Sequence, residues 1–161
     1  MANIFDVLAA YGYIGIFLIS LIGSSTIIFP LPSAAFVFAA GAVLNPFLVG
    51  LLAGIGATLG EFTGYALGLG GRKLVKNKWK NQINKVKKLF QKYGGFFIIL
   101  VFAATPLPDD VTGIVGGMLK YPVKKFFIAS LIGKILLHVV LAYAGFYSIK
   151  WILDVFTSGF R

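Results

Sequence analysis

The tripeptide Pro-Leu-Pro occurs twice, at residues 30–32 and 106–108, and both copies stand inside strongly apolar sequence. Proline lacks an amide hydrogen and restricts the residue before it, so an incoming helix stops there. The second copy belongs to "TPLPDDVTGIVGG" (105–117), which adds two adjacent carboxylates and three glycines. The preceding run, "FFIILVFAA", is too short to cross a bilayer, which takes about 17–25 residues. The two copies therefore read as tips of helical hairpins that enter a membrane and turn back, with Pro30, Pro32, Pro106 and Pro108 at the turns. Irregular backbone at that depth is tolerated only against protein or a wet cavity.

Lipid has to be the solvent for much of this chain. Of its 161 residues 58% are hydrophobic and 12% charged, with a mean hydropathy of +0.90. A soluble domain of this size cannot hide so much apolar surface. Other apolar runs lie at 13–29, 31–44, 47–69 and 122–147, of which the first, third and last are long enough to span. The N-terminus lacks a basic leader and has Ala2 where myristoylation needs glycine, so neither a cleaved signal nor that lipid anchor is expected. Cysteine is absent, which excludes disulfides, thiolate metal sites and a cysteine nucleophile.

The two tips are 76 residues apart, and the same shift lays Gly41 on Gly117, Pro46 on Pro122 and Ala53 on Ala129. Each half reads as an apolar arm, a Pro-Leu-Pro tip, a returning arm ending near glycine, a proline and a spanning helix. A hairpin enters and leaves on one side and one span follows, so the second half starts on the opposite face. The expected fold is an all-α integral membrane protein in one domain over 1–161. Its inverted repeats cover about 13–70 and 94–148, and a basic interfacial helix joins them over about 72–93. The tail after residue 147 is expected to be external or interfacial.

The formal charge of +10 is concentrated. Nine of the fifteen basic residues lie in 72–92, beginning with Arg72 and Lys73, and Lys120, Lys124 and Lys125 occupy the next polar gap. Beside membrane segments this is the positive-inside signal, with anionic headgroups rather than nucleic acid as partner, and it puts the basic segment in the cytoplasm. Val75, Trp79, Ile83, Val86 and Phe90 form a narrow apolar stripe on this helix. The stripe is expected to lie in the interface with Trp79 and Phe90 among headgroups, a solvated basic linker being the alternative.

The ionisable groups inside membrane-associated sequence are Glu61, Asp109, Asp110, Lys134 and His138. Such groups are costly and usually have a partner or a wet cavity. Lys134 and His138 share one face of the last helix. Glu61 and Lys134 fall at similar depth in an inverted pair of helices and are expected to pair, either for transport or only to neutralise two buried charges. The N-terminus of each returning arm favours an anion. Ser33 at the first tip leaves room for a phosphate, with Lys134 as the second candidate ligand. Asp109 is expected to cap the second arm, and Asp110 to serve as a proton or sodium site. Patterns for zincins, CxxC, P-loops and nucleophile elbows are missing, so no enzyme activity, cofactor or metal is expected.

With the FPLPS tip, "GIGATLGEFTGYALGLGG" (54–71) and "GGMLKYPVKKFFIASLIGK" (116–134), residues 10–148 resemble the DedA family of the VTT-domain, SNARE-associated Golgi protein superfamily. The resemblance implies an inverted-repeat transporter of the plasma membrane that moves a lipid phosphate, such as a polyprenyl phosphate carrier, between leaflets. It also implies dependence on the proton motive force, and the aspartates leave sodium open as the coupling ion. Many bacterial members carry arginines around the second tip that are thought to hold phosphate. This chain reads "FAATPLPDDVTG" there, without one, and looks like an archaeal or divergent branch. A cation-coupled exporter of small solutes and a scaffold for anionic lipid are the alternatives, and homo-oligomers stay open.

Overall fold

The computed structural model describes residues 4–25, 33–70, 80–105 and 110–158. Among these residues there are seven helices and no strand. They are α1 (Ile4–Ser25), α2 (Ser33–Val43), α3 (Pro46–Gly70), α4 (Lys80–Tyr93), α5 (Gly95–Ala103), α6 (Asp110–Met118) and α7 (Val123–Ser158).

The center of the bundle is a close antiparallel crossing of α3 and α7. It is permitted by glycine, since a methyl built on Gly50 would stand 2.5 Å from the Val139 Cα and one on Gly54 2.7 Å from the Ile135 Cα. Small residues let membrane helices approach to backbone contact, where packing replaces the missing hydrophobic drive. Helix α1 runs alongside α3 in the same direction. Gly56 meets the Phe17 carbonyl, Gly60 meets Leu21 and Ser24, and the Thr63 hydroxyl donates to the Ser25 carbonyl. In the same way α5 runs with α7, Gly95 lying against Tyr121 and Gly133 against Leu100 and Ala103.

The outer faces are apolar. Tyr11, Ile14, Leu18 and Ile22 follow one another along the exposed side of α1, as do Ile128, Ile132, Leu136 and Val140 on α7. Continuous exposed stripes of this kind need an apolar medium. Helices α3 and α7 are both long and apolar enough to cross a membrane.

The turns between helices are built locally. Asn45 Oδ1 accepts from the amides of Phe47 and Leu48 at 3.0 and 3.2 Å, and Pro46 follows at the first helical position, a standard N-cap arrangement. Helix α6 ends in a Schellman turn. The Tyr121 amide donates to the Gly116 carbonyl, the Lys120 amide to that of Gly117, and Lys120 takes the left-handed φ of 53° that glycine usually supplies. This turn sets the Tyr121 ring edge-on to Phe90, with centroids 5.9 Å apart. It also presents the Tyr121 carbonyl to the Tyr65 hydroxyl.

One expectation needs correction. The stripe on the basic helix does not reach for headgroups: Ile83, Val86 and Phe90 are buried against Tyr65, Ile98, Ile99, Val111, Val115 and Phe126. The cause is the shortness of α5 and α6, nine residues each, which leaves their outer apolar side for α4 to cover. Its exposed face carries Lys85, Lys87, Lys88 and Lys92. Arg72, Lys73, Val75 and Trp79 lie outside the described residues. Helix α7 runs on past the apolar run that ends at residue 147. It continues to Ser158, because neither proline nor glycine interrupts the sequence between Gly145 and Gly159. At 1.5 Å per residue its 36 residues measure about 54 Å, well beyond a hydrocarbon core of about 30 Å.

Candidate functional site

Helical side chains lean toward the N-terminus of their own helix. In the antiparallel pair α3–α7, in the register set by Gly50–Val139 and Gly54–Ile135, Glu61 and Lys134 lean toward each other. Lys134 Nζ lies 3.7 Å from Glu61 Oε2, and the two side chains are 6% and 1% exposed. The contact is longer than the roughly 2.7–2.9 Å of a tight charge-assisted hydrogen bond. Burying each charge costs several kcal/mol, which the partner offsets, so losing either one alone costs about 3–5 kcal/mol.

The pair is tied to a short helix. The Thr112 hydroxyl on α6 stands 3.5 Å from Glu61 Oε1, and Gly113 leaves van der Waals room over the Glu61 Cγ. On the other flank His138 Nδ1 approaches the Lys134 carbonyl at 2.7 Å. That geometry requires the proton on Nδ1, since a carbonyl only accepts. Thr58, buried on α3, donates to the Gly54 carbonyl at 2.7 Å. Ser20 on α1 and Ser130 on α7 are also fully buried.

Of the residues singled out by sequence, Glu61, Lys134 and His138 come together. Ser33 is the first described residue of α2 and is partly buried. Helix α6 begins at Asp110, whose side chain lies outside the described residues, as do Asp109, Pro30, Pro32, Pro106 and Pro108. Among the described residues no group of three or more His, Cys, Asp or Glu side chains gathers. Thr112, Ser20 and Ser130 were not singled out. For Ser130 a signal existed: it extends the line of Lys134 and His138 by one further step of four. Thr112 gave none beyond being the one hydroxyl of its arm.

Residues 31–147 match the VTT domain family. The chain is also similar to the vacuole membrane protein KMS2 of Arabidopsis thaliana, 33% identical over 120 residues. That alignment covers 61% of this chain and 29% of the plant protein, so the chain spans less than a third of that relative's length. No solved structure matches.

Proposed function

The chain belongs to the VTT-domain family, and from that premise we propose that this membrane protein transports a lipid phosphate between leaflets, coupled to a proton or to sodium. The observation that carries the proposal is the Glu61–Lys134 pair, closed inside membrane-spanning helices and reached by Thr112 from a helix too short to span. Charges placed there mark ion or substrate pathways. In the proposed cycle Glu61 takes up the coupling ion. Lys134 is then released to a phosphate oxygen, and loss of the coupling ion from Glu61 reforms the pair and expels the anion. Lys134 stands in for the absent arginines, together with Ser33 and the amides at the start of α2. Asp110 is the second candidate ion site and Asp109 the cap of α6.

The inverted repeat belongs to the same proposal. It is supported by α1 running with α3, α5 with α7, and α3 against α7. It is supported too by returning arms that cross over, Gly41 lying on Ala142 and Gly117 on Tyr65. We place α4 on the cytoplasmic side of the plasma membrane, with Lys120, Lys124 and Lys125 beside it through the Phe90–Tyr121 contact. One feature favors a second reading, a cation-coupled exporter: Lys134 already has a carboxylate partner, which weakens it as an anion ligand.

The test is protein in liposomes, scored for leaflet exchange of labelled polyprenyl phosphate against ordinary phospholipid. Exchange of the phosphate above protein-free vesicles, abolished by Glu61→Gln, is expected. A cation-driven solute flux with no phosphate exchange would select the exporter.

A further inference from the structure

Hydroxyls on apolar helices usually bond back to a carbonyl of the preceding turn. This protein follows that habit at Ser25 (to Leu21, 2.7 Å), Thr58 (to Gly54, 2.7 Å), Thr105 (to Val101, 2.8 Å) and Ser148 (to Ala144, 2.7 Å). Ser20 and Ser130 depart from it. Both are 0% exposed, and neither Oγ has a hydrogen-bond partner among the described residues. A buried hydroxyl left in that state is a net burden, so two of them in one bundle call for a ligand.

Their position says which. The contacts of Gly50 with Val139 and of Gly54 with Ile135 put Ser130 level with the turn of α3 that follows Gly56. The contacts of Gly56 with Phe17 and of Gly60 with Leu21 put Ser20 at that same turn from the other side. This is the depth at which the leaning Glu61 and Lys134 side chains meet. A cation there is repelled by the Lys134 ammonium and an anion by the Glu61 carboxylate, while the pair as a whole is neutral. What fits is a neutral molecule that both donates and accepts, within reach of two to four polar groups.

We infer that Ser20 and Ser130 hold bound water against the Glu61–Lys134 pair. The layer gives Glu61 a route for proton exchange that does not require the α3–α7 contact to open. It deepens the coupling step proposed above but depends neither on the cargo nor on transport, because it is read from stability and water contact.

The experiment compares wild type with Ser20→Ala and Ser130→Ala in lipid. Alanine is the better helix former and removes the burden if the hydroxyls are simply orphaned, so melting temperatures would then rise. If the hydroxyls anchor water, both variants melt lower, by at least about 2–4 °C. Solid-state NMR of lysine-labelled protein in bilayers supplies the second measurement, polarization transfer from water to Lys134 Nζ. Lys134→Arg identifies the signal by removing it. The transfer is expected in wild type and should fall at least about twofold in Ser130→Ala, the loss of one of two anchors. Raised or unchanged melting temperatures in both alanine variants would overturn the inference. So would a wild-type Lys134 signal without water transfer, which decides the matter even if a variant fails to fold.

Discussion

Helices α2 and α6 are seated alike and furnished differently. Gly41 of α2 lies against the Ala142 backbone of α7, and Gly145 of α7 lies against the Phe38 carbonyl of α2. Gly117 of α6 lies against the Tyr65 carbonyl of α3, and Gly68 of α3 against that of Ile114 in α6. Both crossings are thus backbone on backbone. Yet α2 brings only Val37 and Gly41 into the interior, beside Ile16, Val49, Ala53 and Ala142. Helix α6 brings Thr112 to Glu61 and is braced by α4 through Val111 and Val115. The crossing supplies position and the side chains supply chemistry, which sits on one arm.

The largest effect should come from breaking either crossing. Gly41→Leu and Gly117→Leu each drive a side chain into opposing backbone, which has no rotamer to change. A loss of about 3 kcal/mol or more is expected for both, seen as failure to purify as a single species in detergent. If Gly41→Leu behaves like wild type while Gly117→Leu does not, the likeness of the two seats is wrong.

Next comes the pair, present at the second seat and missing from the first. Glu61→Gln or Lys134→Met alone should cost about 3–5 kcal/mol by leaving the partner's charge uncompensated. The double variant should lose clearly less than the two together. Additive losses in a double-mutant cycle measured by unfolding in detergent would uncouple them.

Two of the three expected spans and the pair were legible in the sequence, the pair because charge is so costly in apolar sequence that Glu61 and Lys134 had few other partners. The shift of 76 residues alone would have misled, since it lays Thr58, not Glu61, on Lys134. Antiparallel helices with leaning side chains bring the two together. What covers an apolar stripe was not legible. The periodicity of Ile83, Val86 and Phe90 says that one face of α4 seeks an apolar partner, and lipid and protein satisfy it equally. The shortness of α5 was legible, but that α4 packs across α5 and α6 to cover them is something only the fold reveals.

The bracing by α4 should count for less than the pair. Phe90→Ala removes a buried ring from the cluster around Tyr65, Val115 and Phe126 and should cost about 3 kcal/mol. Because α4 packs on α5 and α6 among the described residues, the loss should expose those two helices specifically. Cysteines placed singly at Val111 and at Val37 test this, since the chain has none of its own. Maleimide should react faster at position 111 in the Phe90→Ala background and stay slow at position 37. Equal acceleration at both would mean that α4 supports the whole bundle.

The smallest change in stability, and the sharpest test of where the chemistry sits, is Thr112→Val. It gives α6 the apolar character of α2 while keeping the shape of the side chain. The contact to Glu61 is long, 3.5 Å, so its loss should lower stability by no more than about 1 kcal/mol. Under the proposed cycle the hydroxyl matters more when Glu61 exchanges its ion, because the carboxylate then has to hold its place without Lys134. A hydrogen bond of about 1 kcal/mol made at that moment corresponds to a roughly fivefold slower step. Leaflet exchange in liposomes should therefore fall by about that factor while the melting temperature barely moves. Thr112→Ser, which keeps the donor, should restore most of the rate. If the valine variant exchanges lipid at the wild-type rate, α6 is no more than a mirror of α2 and the chemistry lies wholly within α3 and α7.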